Sequence, residues 1–358
     1  MPGRPATCSL ILRSDLARAR LLRGRLVTFC MGSGAAVVLT TLLAIPLFLL
    51  ANLLPWTALP TASWQHLGIL LAGTLRAATY AALVAVPLGI ATAMFTAHFC
   101  AASLRAWLKP ALEMLEAIPT VVLGLIAGAT IAPWLNTHVA TLLGLIVAIP
   151  ALLLAAGFAF GSRLRGAGWL PLSLWPLLLA VIAIGVAIGT RADRTLMVAS
   201  SPWNALLVGL ALGFAALPLV FSIAEDALFL VPREQTQSAF ALGATRWQAL
   251  RTVLLPAAGA GLAAAALLGV ARCLGETMIV LMASGNTPVG GFDALIGLRS
   301  ISADLALGLP EAAPASAAYR GLLLATLALL ALTLALNALA DALRLRLRRR
   351  LHSGRIAR

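Results

Sequence analysis

The sequence predicts an all-α protein, a polytopic transmembrane bundle of about eight helices. Three observations carry that reading. Hydrophobic residues fill 61% of the 358 positions and charged residues only 11%, against about 25% charged in an ordinary soluble domain. Mean hydropathy is +0.99, so the chain cannot cover its own surface with polar groups. Uncharged runs long enough to cross a bilayer, about 20 residues each, recur along the chain, and arginines gather in alternate connections between them.

The spans can be placed in order from the charges. A basic head with Arg13, Arg18, Arg20, Arg23 and Arg25 precedes an uncharged stretch reaching to Arg76, which holds a first span near 27–54. That run is too long for a cleaved leader, so it reads as an uncleaved first helix. A second span lies near 70–98, before Arg105 and Lys109. From Glu116 to Arg163 no charge occurs. Pro133-Trp134-Leu135-Asn136-Thr137-His138 breaks this run as a turn cluster, giving spans near 111–133 and 139–160. Further spans fall near 170–189, 203–230, 257–283 and 318–340. The segments 139–189 form a hairpin around Arg163 and Arg165.

Orientation follows from the basic loops, because Lys and Arg are retained on the cytoplasmic side. Both termini are then cytoplasmic, with 99–110, 161–169 and 231–256. The domain plan is a basic head at 1–26, a first span with its outer loop at 27–66, a main helical body at 67–341 and a basic tail at 342–358. Trp56, Trp64, Trp134 and Trp203 suit interfacial anchors. Glu113, Glu116, Glu225 and Asp226 read as membrane-edge charges.

Composition also excludes function classes. The net charge of +14 belongs to connections between apolar runs, so it is no nucleic-acid footprint. Cys8, Cys30, Cys100 and Cys273 are scattered, and the four histidines stand apart. Neither a disulfide framework nor a metal site is expected. No clustered His, Cys or Ser/His/Asp constellation points to a membrane enzyme. The phosphate-loop pattern G-x-x-x-x-G-K-[ST] is absent, and the single lysine, Lys109, lies in Leu-Lys-Pro. If ATP drives this protein, another chain binds it.

Segment 231–256 differs from every other loop. Pro232 suits a helix start, and 233–242 a short amphipathic helix. Gly243 ends that helix, because glycine accepts the left-handed conformation a helix end requires. Thr245 caps a second helix running to about Val253, and Pro256 opens the next span. Two short helices with small exposed residues make a docking surface.

This loop resembles the EAA loop of ABC importer permeases, in which Glu-Ala-Ala is followed by a glycine and a closing Leu-Pro. Gln237-Ser238-Ala239 stands for Glu-Ala-Ala, Gly243 follows at the family's distance, and Leu255-Pro256 closes the motif. Gln237 and Ser238 depart from the pattern. Ala117-Ile118-Pro119-Thr120, Ala224-Glu225-Asp226-Ala227, Arg272-Cys273-Leu274-Gly275-Glu276-Thr277-Met278 and Gly285-Asn286-Thr287-Pro288 together resemble the PstC-type permease of the phosphate-specific ABC importer. The resemblance covers most of the chain after about residue 67, and 139–189 matches least.

The resemblance implies a type I ABC importer permease of a bacterial inner membrane, carrying inorganic phosphate. It implies a second, PstA-type permease chain, PstB-type ATPase subunits that use ATP, and a PstS-type extracytoplasmic binding protein, with no cofactor on this chain. It places ATPase coupling on Gln237, Ser238, Ala239, Gly243, Leu255 and Pro256, and the substrate pathway on Arg272, Glu276 and Thr277.

The residues themselves agree with an anion pathway. On one continuous helix Arg272 and Glu276 share a face. A central arginine costs roughly 2.5–3.5 kcal/mol on insertion scales, a cost rarely retained without a partner or a water-filled path. Arg76 is a further pathway candidate near the outer mouth, or snorkels to the interface. Another oxyanion, sulfate or molybdate, or an ion-coupled secondary transporter, stays open from the residues alone.

Overall fold

The protein is described from a computed structural model covering residues 6–54, 61–139, 141–142, 144, 183, 185–187, 189–191, 201–291, 293–314 and 316–356. Among these residues regular structure is helical, apart from one isolated bridge between Gly285 and Leu298. The chain forms two compact units, 1–59 and 60–358. The first is built on α1, Ala6–Leu53.

The second unit begins with α2, Thr61–Met94, which runs on through a π turn at Phe95–Phe99. Then come α3, Ala102–Glu116, and α4, Thr120–Ile126. A π turn at Ala127–Ile131 leads into α5, Ala132–Thr137. After 201 follow α6, Ala205–Phe229, and α7, Arg233–Ala241. Next is α8, Arg246–Ala249, joined through a π turn at Leu250–Leu254 to α9, Leu255–Gly275. The last elements are α10, Met278–Ala283, α11, Ile301–Gly308, and α12, Ala317–Ile356.

Six described helical runs are long and apolar enough to cross a membrane: Val27–Leu53, Ser63–Phe99, Thr120–Thr137, Ala205–Phe229, Arg246–Gly275 and Ala317–Arg346. The spans expected near 139–160 and 170–189, and with them the hairpin, fall almost wholly outside the described residues. Two expected boundaries are corrected. The third span starts at Thr120, not near 111, because Pro119 adopts φ −58, ψ 128 and breaks the chain into a separate α3. The residue before a proline is driven out of the helical region by the ring. The seventh span is not continuous over 257–283. It begins at Arg246 and ends at Gly275, where Glu276 turns extended at φ −69, ψ 129. The freed carbonyl of Glu276 accepts a hydrogen bond from Ser302 Oγ at 2.8 Å. Such internal satisfaction is what lets a helix break at membrane depth.

The second coupling helix likewise does not stop near Val253. It continues into α9, with the π turn immediately ahead of Pro256. A proline ring clashes with the carbonyl four residues earlier in a regular α-helix, and a π turn widens the ladder there.

The core is a seam of small residues. Ala77, Ala81 and Ala85 repeat every fourth position on α2, with Ala78 beside them, all at most 2% exposed. They face α6, where Val208, Leu212 and Ala216 are buried with Gly209 and Gly213. Lipid tails are as apolar as leucine, so membrane helices associate by close packing rather than by escape from water, and small residues permit it. The bundle adds α9 against α6, α2 and α12, and α4 beside α10. Gly124 lets α4 meet the backbone of Met278 and Ile279.

A Cβ at Gly213 would lie 2.8 Å from Val84 Cβ and 3.0 Å from the Ala81 carbonyl oxygen. Gly213→Val is therefore expected to force α2 and α6 apart, at about 1–3 kcal/mol. Thermal denaturation of the detergent-purified protein should show a lower midpoint than wild type.

Candidate functional site

The 231–256 loop folds as its residues dictate. The amide of Gly243 donates to the Phe240 carbonyl at 2.9 Å and the amide of Ala244 to Ala239 at 3.0 Å. This is the paired closure of a Schellman motif, and Gly243 sits at φ +83 as it requires. Thr245 and Gln248 then form a reciprocal capping box, the Thr245 amide donating to Gln248 Oε1 at 2.8 Å and the Gln248 amide to Thr245 Oγ1 at 3.3 Å. No residue of α7 is buried. Gln237, Ser238 and Gly243 are exposed and Ala239 half-buried, while Leu242 is 89% and Trp247 58% exposed. Leu255 and Pro256 lie at the start of α9.

Arg272 occupies the last turn of α9, Glu276 the extended residue after it, and Thr277 the position before α10. The break at Gly275 removes the helical register that would set Arg272 and Glu276 on one face, which corrects that expectation. The partner of Arg272 is instead Glu116, the last residue of α3, with Arg272 Nη1 donating to Glu116 Oε1 at 3.0 Å. Both side chains are partly open, at 29% and 44% exposure. Arg272 Nε is buried with no hydrogen-bond partner among the described residues. The arrangement is a fixed cation with donor capacity left over, bordered by two carboxyl groups.

Arg76 does not snorkel into solvent. It is 1% exposed, and its Nη1 and Nη2 donate to the carbonyls of Gly291 and Gly297 at 2.7 and 2.6 Å. It pins the loop 285–300. Gly285 and Asn286 there take φ +71 and +51, a double left-handed step that glycine and asparagine tolerate best. The loop lies over the start of α6, its Ala294 and Ile296 carbonyls accepting from the Leu206 and Ala205 amides at 2.9 and 3.1 Å. Ser300 Oγ accepts from the Ala303 amide at 3.1 Å and Thr74 Oγ1 from the Ile301 amide at 2.9 Å, which caps α11.

Two charge clusters escaped the sequence reading. Glu225, expected at a membrane edge, is completely buried. Its Oε1 lies 3.1 Å from Arg105 and its Oε2 3.0 Å from Lys109, and the Arg105 guanidinium lies 3.9 Å from the centre of the Phe229 ring. The hydrogen bond to Glu225 makes the Lys109 ammonium hold its proton more tightly than an ordinary lysine. The other cluster joins Asp304 with Arg299 at 2.6 Å and His66 at 3.2 Å. Partners 120 and 238 positions apart in Arg105–Glu225 and His66–Asp304 leave no local spacing signal. The Ala224-Glu225-Asp226-Ala227 stretch was visible, but not what Glu225 touches.

A family model described as the binding-protein-dependent transport system inner membrane component matches residues 85–353. The chain belongs to this family. It is a multi-pass membrane component of a transport system, with the fold of type I ABC importer permeases. Among its relatives, the probable ABC transporter permease protein YqgH of Bacillus subtilis is 30% identical over 68% of this chain and 61% of that protein. The phosphate transport system permease protein PstC of Mesorhizobium japonicum is 29% identical over 67% and 62%. The phosphate transport system permease protein PstC 2 of Mycobacterium tuberculosis is 27% identical over 96% and 98%. The chain thus spans 61% and 62% of the length of the first two.

Removing the Glu225 charge should leave Arg105 without a carboxylate partner and Lys109 with only Glu113, 3.9 Å away on α3. Breaking a buried pair costs about 3–5 kcal/mol, and the partial exposure of both cations, 30% and 37%, reduces this to roughly 1–3 kcal/mol by solvent screening. Glu225→Gln is expected to lower the thermal midpoint in detergent, and a triple variant with Arg105→Gln and Lys109→Gln to recover part of the loss.

Proposed function

We propose that this protein is one permease subunit of an ATP-driven importer of inorganic phosphate. It forms the pathway with a second, PstA-type permease chain. PstB-type ATPase subunits dock on the 231–256 loop and hydrolyse ATP, and a PstS-type binding protein delivers phosphate from outside a bacterial inner membrane. Both termini then face the cytoplasm. The observation that carries the reading is Arg272, a partly open guanidinium with unused donor capacity at a helix break, in a family whose relatives include phosphate transport permeases.

The mechanism follows from the placement of the charges. Moving an anion through an apolar region is expensive without a compensating charge. Arg272 supplies that charge, and Glu276 beside it prevents the anion from being held too tightly and can accept the proton of a monoprotonated phosphate. Thr277 contributes a hydroxyl at the same break. Arg76 acts indirectly, by holding the loop 285–300 in place. Coupling is mechanical. Arg246–Gly275 is one helical run of 30 residues, about 45 Å at 1.5 Å per residue. It carries displacement of the docked loop directly to Arg272.

Two substitutions test these roles. Arg272→Gln is expected to reduce phosphate uptake by cells at least tenfold at matched membrane abundance, the scale of losing about 1.4 kcal/mol of anion stabilisation; wild-type uptake would remove Arg272 from the pathway. For Gly243→Trp, no other group lies within 4 Å of a Cβ at 243, so the substitution meets backbone strain of about 1–2 kcal/mol at the left-handed φ but no clash within this chain. The variant should insert into the membrane and lose the copurifying ATPase together with uptake. Retention of both would refute docking at this loop.

A further inference from the structure

The ion pair between Arg272 and Glu116 links α9 to α3, two helices that both pack on α6. Arg272 ends the helical run that starts in the exposed loop at Arg246. Glu116 ends α3, whose main packing is on α6 and the π turn after α2, and whose other turns are anchored by Arg105 and Lys109 on buried Glu225. Immediately beyond Glu116 the chain passes through Ala117–Pro119 into α4. The 3.0 Å contact is therefore a tie between the coupling run and an anchored helix, made next to a backbone break on both sides.

The tie is built to be exchanged. One nitrogen of Arg272 meets one oxygen of Glu116, and the Nε of the same guanidinium is buried without a hydrogen-bond partner among the described residues. A guanidinium binds best through two parallel N–H donors to two oxygens, a geometry this contact does not use. Partial exposure of both side chains leaves the contact open to approach by another anion. A tetrahedral dianion offers more charge than a carboxylate and several oxygens. Chloride offers no such fork and competes poorly with the carboxylate.

We propose that the Glu116 carboxylate is a displaceable internal counter-anion of Arg272: an arriving phosphate takes its place on the guanidinium and so frees the coupling helix from α3. This rests on the reading of Arg272 as the pathway cation. Glu116 thereby reports an occupied pathway to the loop where the ATPase docks, and holds the empty transporter idle. It is a positioning residue, acting through Arg272.

The test uses the whole transporter, purified through this chain with its associated subunits and reconstituted in vesicles, with ATP hydrolysis measured with and without inorganic phosphate and its binding protein. Glu116→Gln is expected to raise phosphate-free hydrolysis roughly two- to fivefold, the population shift that loss of one partly exposed ion pair allows, while uptake continues. Unchanged phosphate-free hydrolysis with normal phosphate stimulation would overturn the proposal. Arg272→Gln should also raise phosphate-free hydrolysis but abolish uptake; normal uptake there would overturn the pathway role of Arg272 instead. The charge swap, Glu116→Arg with Arg272→Glu, restores the tie without restoring the cation at 272. It should show low hydrolysis that phosphate no longer stimulates, and recovery of stimulation would overturn the exchange mechanism. If Glu116→Gln fails to accumulate, the swap decides alone.

Discussion

The close approach of α2 and α6 is the constraint on which the other positions depend. In a bilayer there is no gain from hiding leucine from water, so two helices adhere only as tightly as their surfaces fit. Ala77, Ala81 and Ala85 on one side and Gly209 and Gly213 on the other bring the backbones close enough for dispersion contacts to accumulate. From this seam α9 takes its place against both helices, and α9 carries Arg272. The loop 285–300 is laid over the start of α6 and pinned from α2 by Arg76.

Three charge clusters in the second unit tie distant parts of the chain together. Glu225 gathers Arg105 and Lys109, Asp304 gathers Arg299 and His66, and Arg272 meets Glu116. The clusters differ in exposure, and that difference separates their physical roles. Glu225 is wholly buried and has both oxygens engaged, so it locks α3 onto α6. In the pair at Arg272 the carboxylate as well as the cation is partly exposed and the contact is single, so it is the member of the set suited to changing partners.

Interrupted helices concentrate the chemistry. The chain breaks at Ala117–Pro119 and again at Glu276, and these breaks set Glu116 and Arg272 beside the starts of α4 and α10. The opposite device appears in the coupling loop, where a π turn ahead of Pro256 keeps the helix going. Continuity there and discontinuity at Gly275 let one helical run begin at an exposed docking loop and end at a charged site.

Part of the local chemistry was legible in the amino-acid sequence. Runs of uncharged residues determined the all-helical membrane class, because only helices or closed barrels satisfy backbone groups in lipid. Gly243 and Thr245 determined how α7 ends and α8 begins, since a left-handed C-terminal step and an N-cap each depend on a few adjacent residues. The type of residue at the pathway, an arginine retained inside an apolar run, was visible for the same reason. Tertiary structure alone decided where α9 stops, because the extended Glu276 is held by Ser302 from another helix. It also turned Glu225 from an edge charge into a buried anchor and Arg76 into a loop clamp, and gave Arg272 its partner in Glu116. Those outcomes depend on which helices meet, and a charge 156 positions away leaves no periodicity for a local pattern to reveal.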